Sequence, residues 1–320
     1  MDTSSRPVPE RCLPSHCLPS IQRPPRHPAA HRLASCVAAA LLACAAASGI
    51  AAAASPSDGA ALRQRHAELR SALAGSPFGR PLVLSSSESA SRPQGEVHAV
   101  VRHPFGRVAE ALQRPQAWCE LMMLQTNIKR CKVGGDGLQV AIARRHDQPV
   151  ESAYQVDFAL RVRDAAAEHL LVEIAADAGP LGTSDYKLSF EAVPLDAGHS
   201  FVRMSYGYSA GVAARLASQA YLSTSGRDKV GFSVVGRDDS GQPVLVGGSR
   251  GVAERNTMRY YLALEAVLAS LALPPEQRTE RRLQDWHAAV ERYPRQLHEM
   301  SREDYLAMKR RELHAGERQG

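Results

Sequence analysis

The sequence predicts an α+β fold, one curved antiparallel sheet packed against one long helix. Three observations predict it. Between residues 138 and 208, five runs alternate apolar and polar side chains at period two. The links before and between them, such as "GGDG" (134–137), "RDAAAE" (163–168) and "LDAGHS" (195–200), are short and turn-like. After them comes "VAERNTMRYYLALEAVLASLAL" (252–273), long enough for six helical turns and stopped by Pro274–Pro275.

Each element follows from its residues. "ALRQRHAELRSALAG" (60–74 with Gly75) sets Leu62, Leu69 and Leu73 on one helical side and ends in a glycine stop. "PLVLSSSES" (81–89) reads as a short strand or extended arm, "ASRPQG" (90–95) as a turn-rich link, and "EVHAVVRH" (96–103) as a strand. "PFGRVAEALQ" (104–113) and "PQAWCELM" (115–122) are short helices, each entered through proline. In the meander, Leu138, Val140 and Ile142 share a face, as do Tyr154, Val156, Phe158, Leu160 and Val162. The same holds for Leu170, Val172 and Ile174, for Tyr186, Leu188 and Phe190, and for Val202, Met204, Tyr206 and Tyr208. One apolar and one polar face predict a sheet covered on one side only. A short helix at 211–222 and a hairpin around "GRDDSG" (236–241) precede the long helix, and 276–313 is helical and charged on most faces.

The chain divides by composition into four parts. Residues 1–54 read as an n-region followed by the Ala-rich run 33–54, the pattern of an export signal that is cleaved. The stretch before Arg32 is long for an n-region, which points to a start codon further in. The expected location is the periplasm. The alternative is a lipid anchor at Cys44, because "ALLAC" resembles a lipoprotein box. An N-terminal helix and arm (55–94), a main domain (95–273, with an insertion at 211–250) and a helical extension (274–320) follow.

Of 39 Lys/Arg and 33 Asp/Glu, five and two lie in 1–54, leaving a net charge of +3 on the rest. That near-neutrality argues against a nucleic-acid binder. Four of the six cysteines also fall in 1–54, leaving Cys119 and Cys131. An even pair in an exported chain predicts a disulfide, against the alternative of two free thiols. No histidine pair has helical ligand spacing with an acid nearby, so no metal is expected, and no cofactor is implied.

The order strand, two Pro-led helices, meander, long helix resembles the START-like superfamily, whose helix-grip fold is shared by lipid-transfer domains and polyketide cyclases. Its opening is carried here by Val97, Ala99, Val101, His103-Pro104-Phe105, Val108, Ala111-Leu112, Pro115 and Trp118. Residues 211–250 and the terminal helices depart from the pattern. The resemblance implies a cavity for a hydrophobic small molecule or lipid between sheet and long helix, with binding and catalysis both open. Peripheral membrane contact is a further expectation.

Candidate cavity residues follow from position. Trp118 and Met122 are expected at the mouth, the alternative being ordinary core packing. Asn127 lies on the strand after them. Tyr154, Phe158, Tyr186, Tyr206 and Tyr208 lie on the sheet's apolar face. On the long helix, Arg255, Asn256 or Arg259 points to a polar ligand head, while Met258 and Tyr261 face the sheet; the alternative is an ion-paired helix start. Two rival readings remain. Gly-x-Ser-x-Gly around Ser249, with Asp285 and His298 following, resembles a hydrolase elbow, although that motif needs a parallel sheet. Leu283, Trp286, Val290, Tyr293, Leu297 and Met300, spaced three and four apart, form either a partner-binding seam or two helices folded back on the domain.

Overall fold

The computed structural model describes residues 59–90, 92–212, 215–216, 220 and 229–317. The expected signal segment and Cys44 lie outside them, as does most of the predicted helix at 211–222. Helix α1 (Ala60–Ala74) leads into β1 (Leu82–Ser89) and β2 (Arg92–Val101). Helices α2 (Phe105–Leu112) and α3 (Pro115–Met122) follow. The meander is β3 (Ile128–Gly134), β4 (Gly137–Ile142), β5 (Tyr154–Ala166), β6 (His169–Ala178), β7 (Thr183–Pro194) and β8 (Ser200–Ala210). A hairpin, β9 (Val234–Arg237) and β10 (Pro243–Leu245), forms a separate two-stranded sheet. The long helix α4 (Gly248–Ser270) precedes α5 (Pro275–Val290), α6 (Pro294–Leu297) and α7 (Arg302–Glu317).

Strands pair in the order β1-β2-β8-β7-β6-β5-β4-β3, all antiparallel. Closing the first grip strand against the last, with α4 laid across them, is the helix-grip architecture. The segment 82–89, an arm or short strand by sequence, is a full edge strand paired along β2 from Leu82↔Ala99 to Ser89↔Arg92. Helix α4 packs on β1, β2 and β8 and against α3 and α5. It approaches the sheet closely at Gly95. A Cβ there would lie 2.8 Å from the Ala253 carbonyl oxygen, so only glycine lets the helix sit this low.

Helix α4 begins four residues earlier than its apolar pattern suggests. The carboxylate of Glu254, fully buried, accepts the Phe232 and Ser233 N–H groups (2.6 and 2.9 Å) and the Ser86 hydroxyl (2.7 Å). These bonds fasten the hairpin and β1 to the helix and let residues 248–251 wind into its first turn. Glu254 is therefore a latch between the helix, the hairpin and β1.

One expectation about the sheet is corrected. Its outer face is not bare. Helix α1 lays Leu62, Leu69 and Leu73 on Val193 and Phe201, with Val83, Val100 and Leu195 at the edge. The sequence misses this cover because Val83, Val100, Val193 and Phe201 sit among inward-facing neighbours and blur the alternation. The seam in the C-terminal extension also faces inward. Leu283, Trp286, Val290 and Leu297 join the main core with Tyr305, Leu306 and Met308. Among the described residues no helix is long and apolar enough to cross a membrane.

Candidate functional site

Helix α4 presents Val252, Arg255, Asn256, Arg259 and Tyr260 along one stripe, spaced i, i+3, i+4, i+7, i+8. This stripe forms one wall of a cleft of about 620 Å³. The opposite wall is the α3–β3 loop (Gln125, Thr126, Asn127) and the turn after β4 (Arg144, Arg145, His146, Asp147). Tyr206 of β8, Lys229, His298 and Glu299 complete it. The other side of α4, with Met258, Tyr261 and Leu262, faces the core.

The inner end of the cleft is apolar. A recess of about 70 Å³ lies beneath α4, lined mainly by Met122, Ile128, Ile142, Phe158, Ile174, Tyr186 and Leu188, with Lys187 as its one charged residue. Asn127, Tyr206 and Tyr260 line both spaces, so the recess adjoins the cleft. The resemblance implies a roomier apolar cavity than this. Four tyrosines fill the space: Tyr206 packs on Tyr260 (5.3 Å between ring centroids), and Tyr186 stacks on Tyr208 (5.6 Å). Burial pushes the hydroxyl pKa of Tyr206 well above its ordinary value, with the neighbouring tyrosines adding to the rise. Burial pushes Tyr208 up to about 12 and raises Tyr186 and Tyr260 as well. These hydroxyls are neutral hydrogen-bonding groups at physiological pH, with no phenolate base among them.

The cleft is electrostatically distinct. Arg145 grips Asp147 through two bonds (3.0 and 2.8 Å), and Arg259 donates to Glu299 (2.6 Å). Thr126 also donates to Glu299. Burial pushes the Glu299 carboxyl upward, but Arg259, Thr126 and Lys229 outweigh it and hold it ionised below its ordinary value. Lys229 Nζ donates to the carbonyl of His298 (2.5 Å). Burial and then the Arg259 charge lower its pKa.

The outer wall is braced from behind by α7. The Tyr305 hydroxyl donates to the Leu124 carbonyl (2.8 Å) and Lys309 to the Ile128 carbonyl (2.7 Å). Glu312 bridges Lys129 (2.6 Å) and Lys309 (2.9 Å), and burial lowers the Lys309 pKa to about 8. The bond between Cys119 and Cys131 ties α3 to β3, with Cα atoms 5.3 Å apart. Behind it, a second groove of about 310 Å³ runs between α3, β3, α5 and α7.

Of the residues expected to line the cavity, Met122, Phe158 and Tyr186 line the recess, Asn127 and Tyr206 line both spaces, and Arg255 and Asn256 line the cleft. Five expectations are corrected. Trp118 is fully buried, donates to the Leu112 carbonyl (2.8 Å) and meets Phe190 edge-on, so it is core rather than mouth. Met258 is core too, and Tyr261, also core, donates to Glu265 (2.8 Å). Tyr208 stands behind Tyr186, and Tyr154 lines neither space.

The hydrolase constellation does not assemble. Ser249 donates to Glu88 (2.5 Å), Asp285 accepts from Arg281 (2.7 Å), and His298 pairs with Glu291 (3.0 Å). Arg144, Arg145, Lys229 and Glu299 are among the cleft residues that sequence reasoning missed, with Gln125, Thr126, His146, Asp147, Val252 and Tyr260. Only the basic run "RRH" (144–146) carried any local sign of them.

The molecule is thus a helix-grip protein whose candidate site is a polar cleft beside a small tyrosine-walled recess. No family model matches the chain, and no curated protein matches it. Solved structures do resemble it. A conserved protein from Geobacillus kaustophilus is 11% identical, with 55% of this chain and 95% of that one covered and a TM-score of 0.32. Zhui aromatase/cyclase from Streptomyces sp. R1128 gives 12% identity, 63% and 94% coverage, and 0.29. Norcoclaurine synthase from Thalictrum flavum, in complex with a transition-state analogue, gives 14%, 45% and 89%, and 0.31. The fold assignment stands on the strand order itself.

Proposed function

We propose that this chain binds or carries a small molecule whose apolar body enters the recess beneath α4. The observation that carries the reading is that recess and cleft adjoin, sharing Asn127, Tyr206 and Tyr260 in their walls. An apolar end buried there would sit beside a solvated polar cleft, the usual arrangement of a small-molecule site. We also propose that the protein works outside the cytoplasm. The Ala-rich run at 33–54 and a disulfide between the two cysteines beyond it support that compartment.

Asn127, exposed at the junction of the two spaces, offers a direct test. Tryptophan at this position should fill the junction without disturbing the core. The N127W variant should keep the wild-type melting temperature and lose at least tenfold in affinity for an apolar fluorescent dye. Undiminished dye binding, with the fold intact, sinks the reading.

A further inference from the structure

The chemistry of the ligand's other end is written in the cleft. Among the described residues lining it, five are lysine or arginine and two are carboxylates. Both carboxylates are already committed, Asp147 to Arg145 and Glu299 to Arg259. Arg144 and Lys229 line the same space, and Lys229 donates to the neutral carbonyl of His298. The Nε of Arg259 is buried and has no hydrogen-bond partner. A guanidinium N–H removed from water without an acceptor is costly, and groups of this kind ask for a ligand or a water. The crowding of cations also has a local effect, since the Arg259 charge helps to depress Lys229.

The corner has the shape for an anion. Glu299 already seats one carboxylate oxygen on Arg259 Nη2 and the other on the Thr126 hydroxyl. The guanidinium fork matches two oxygens at once, which a single ammonium does not. Anion and body would not compete for room, because the recess lies beside the cleft, with Tyr206 and Tyr260 in the walls of both.

We propose that the ligand is an amphiphile ending in a carboxylate or phosphate, held by Arg259, Arg144 and Lys229 while its apolar body occupies the recess. This rests on the reading of cleft and recess as one ligand site. Glu299 is then an internal competitor: its carboxylate holds the arginine until a ligand anion displaces it. Electrostatic capture of this kind is screened by salt.

The test is a calorimetric titration of the purified full chain with octanoate, octyl phosphate, octanol and octylamine, all below micelle formation. At least one of the two anions should bind tenfold or more tightly than octanol, with octylamine the weakest. The tighter anion separates a carboxylic acid from a phosphate ester. R259Q should lose at least tenfold for that anion and leave octanol unchanged, R259K should recover part of the loss, and E299Q should bind the anion more tightly than wild type. Circular dichroism of each variant checks that the fold is kept. Octanol binding as tightly as both anions overturns the inference and leaves the proposed function standing. Absence of binding by all four compounds overturns both.

Discussion

Two buried histidines beneath α1 show how single residues set the pH response of this fold. His169 places Nδ1 2.7 Å from Asp164 and Nε2 2.9 Å from Glu191, so both ring nitrogens donate and the ring is an imidazolium. Burial pushes its pKa down, but the two carboxylates outweigh that and hold it above the ordinary 6.5. His98, stacked on Phe201, has a buried Nε2 without a partner, and burial pushes its pKa down to about 4. The signs are opposite. A raised folded pKa stabilises fully below 6.5, and that contribution is lost as pH rises through the folded value. A depressed folded pKa leaves the unfolded chain to take a proton first, so stability falls as pH drops from 6.5 toward 4. The pair therefore favours the fold most near neutrality. H169Q should cost about 2 kcal/mol at about pH 6, the scale of a lost charged hydrogen bond, and less at about pH 9. H98Q should flatten the acid limb. Urea midpoints across this range check both, and a deficit for H169Q that ignores pH would refute the assignment.

At the scale of elements, the stretch from α3 to β3 is where fold and site meet. The bond between Cys119 and Cys131 closes a loop with a sequence separation of 12, and that loop contains Gln125, Thr126, Asn127 and Ile128 from the walls of cleft and recess. On the chain-entropy model a loop of this size stabilises the fold by about 3 kcal/mol. Replacing both cysteines by serine should lower the urea midpoint accordingly, and should weaken octanoate binding because the wall loses its tether. A midpoint insensitive to dithiothreitol would count against the bond. Much of this level is legible in the sequence. The strand runs of the meander carry clean period-two alternation, Pro104 and Pro115 mark the short helices, and the cysteine pair stands out once 1–54 is set aside. The stripe of Arg255, Asn256, Arg259 and Tyr260 is legible as helical spacing, although its neighbours Met258 and Tyr261 turn the other way. The opposite wall is not legible. Arg144, Lys229 and Glu299 sit on three separate connections, and only the folded chain brings them to one cleft. Helix α1 escapes for a related reason, because a strand buried on both faces loses the alternation that would announce its cover.

At the scale of the molecule, the C-terminal extension and the grip share one core. Trp286 packs on Tyr305 (5.1 Å between rings) and its Nε1 donates to the Arg259 carbonyl (3.2 Å), on the very turn of α4 that lines the cleft. From the other side, Tyr305 and Lys309 hold the carbonyls of Leu124 and Ile128. Arg282, buried, reaches both Ser270 of α4 (2.7 Å) and Glu120 of α3 (2.9 Å). Contacts of this density across a boundary couple the parts thermodynamically, so neither side should melt first. The two tryptophans make this measurable, since Trp118 lies in the grip and Trp286 in the extension. In W286F, fluorescence reports the grip; in W118F, it reports the extension. Within each variant the urea midpoint by fluorescence should coincide with that by far-ultraviolet circular dichroism. An extension signal that moves at lower urea than the sheet signal would show a separable module. It would also remove the argument that α5–α7 shape the ligand site, because a site braced by a separately melting part could not keep Glu299 seated on Arg259.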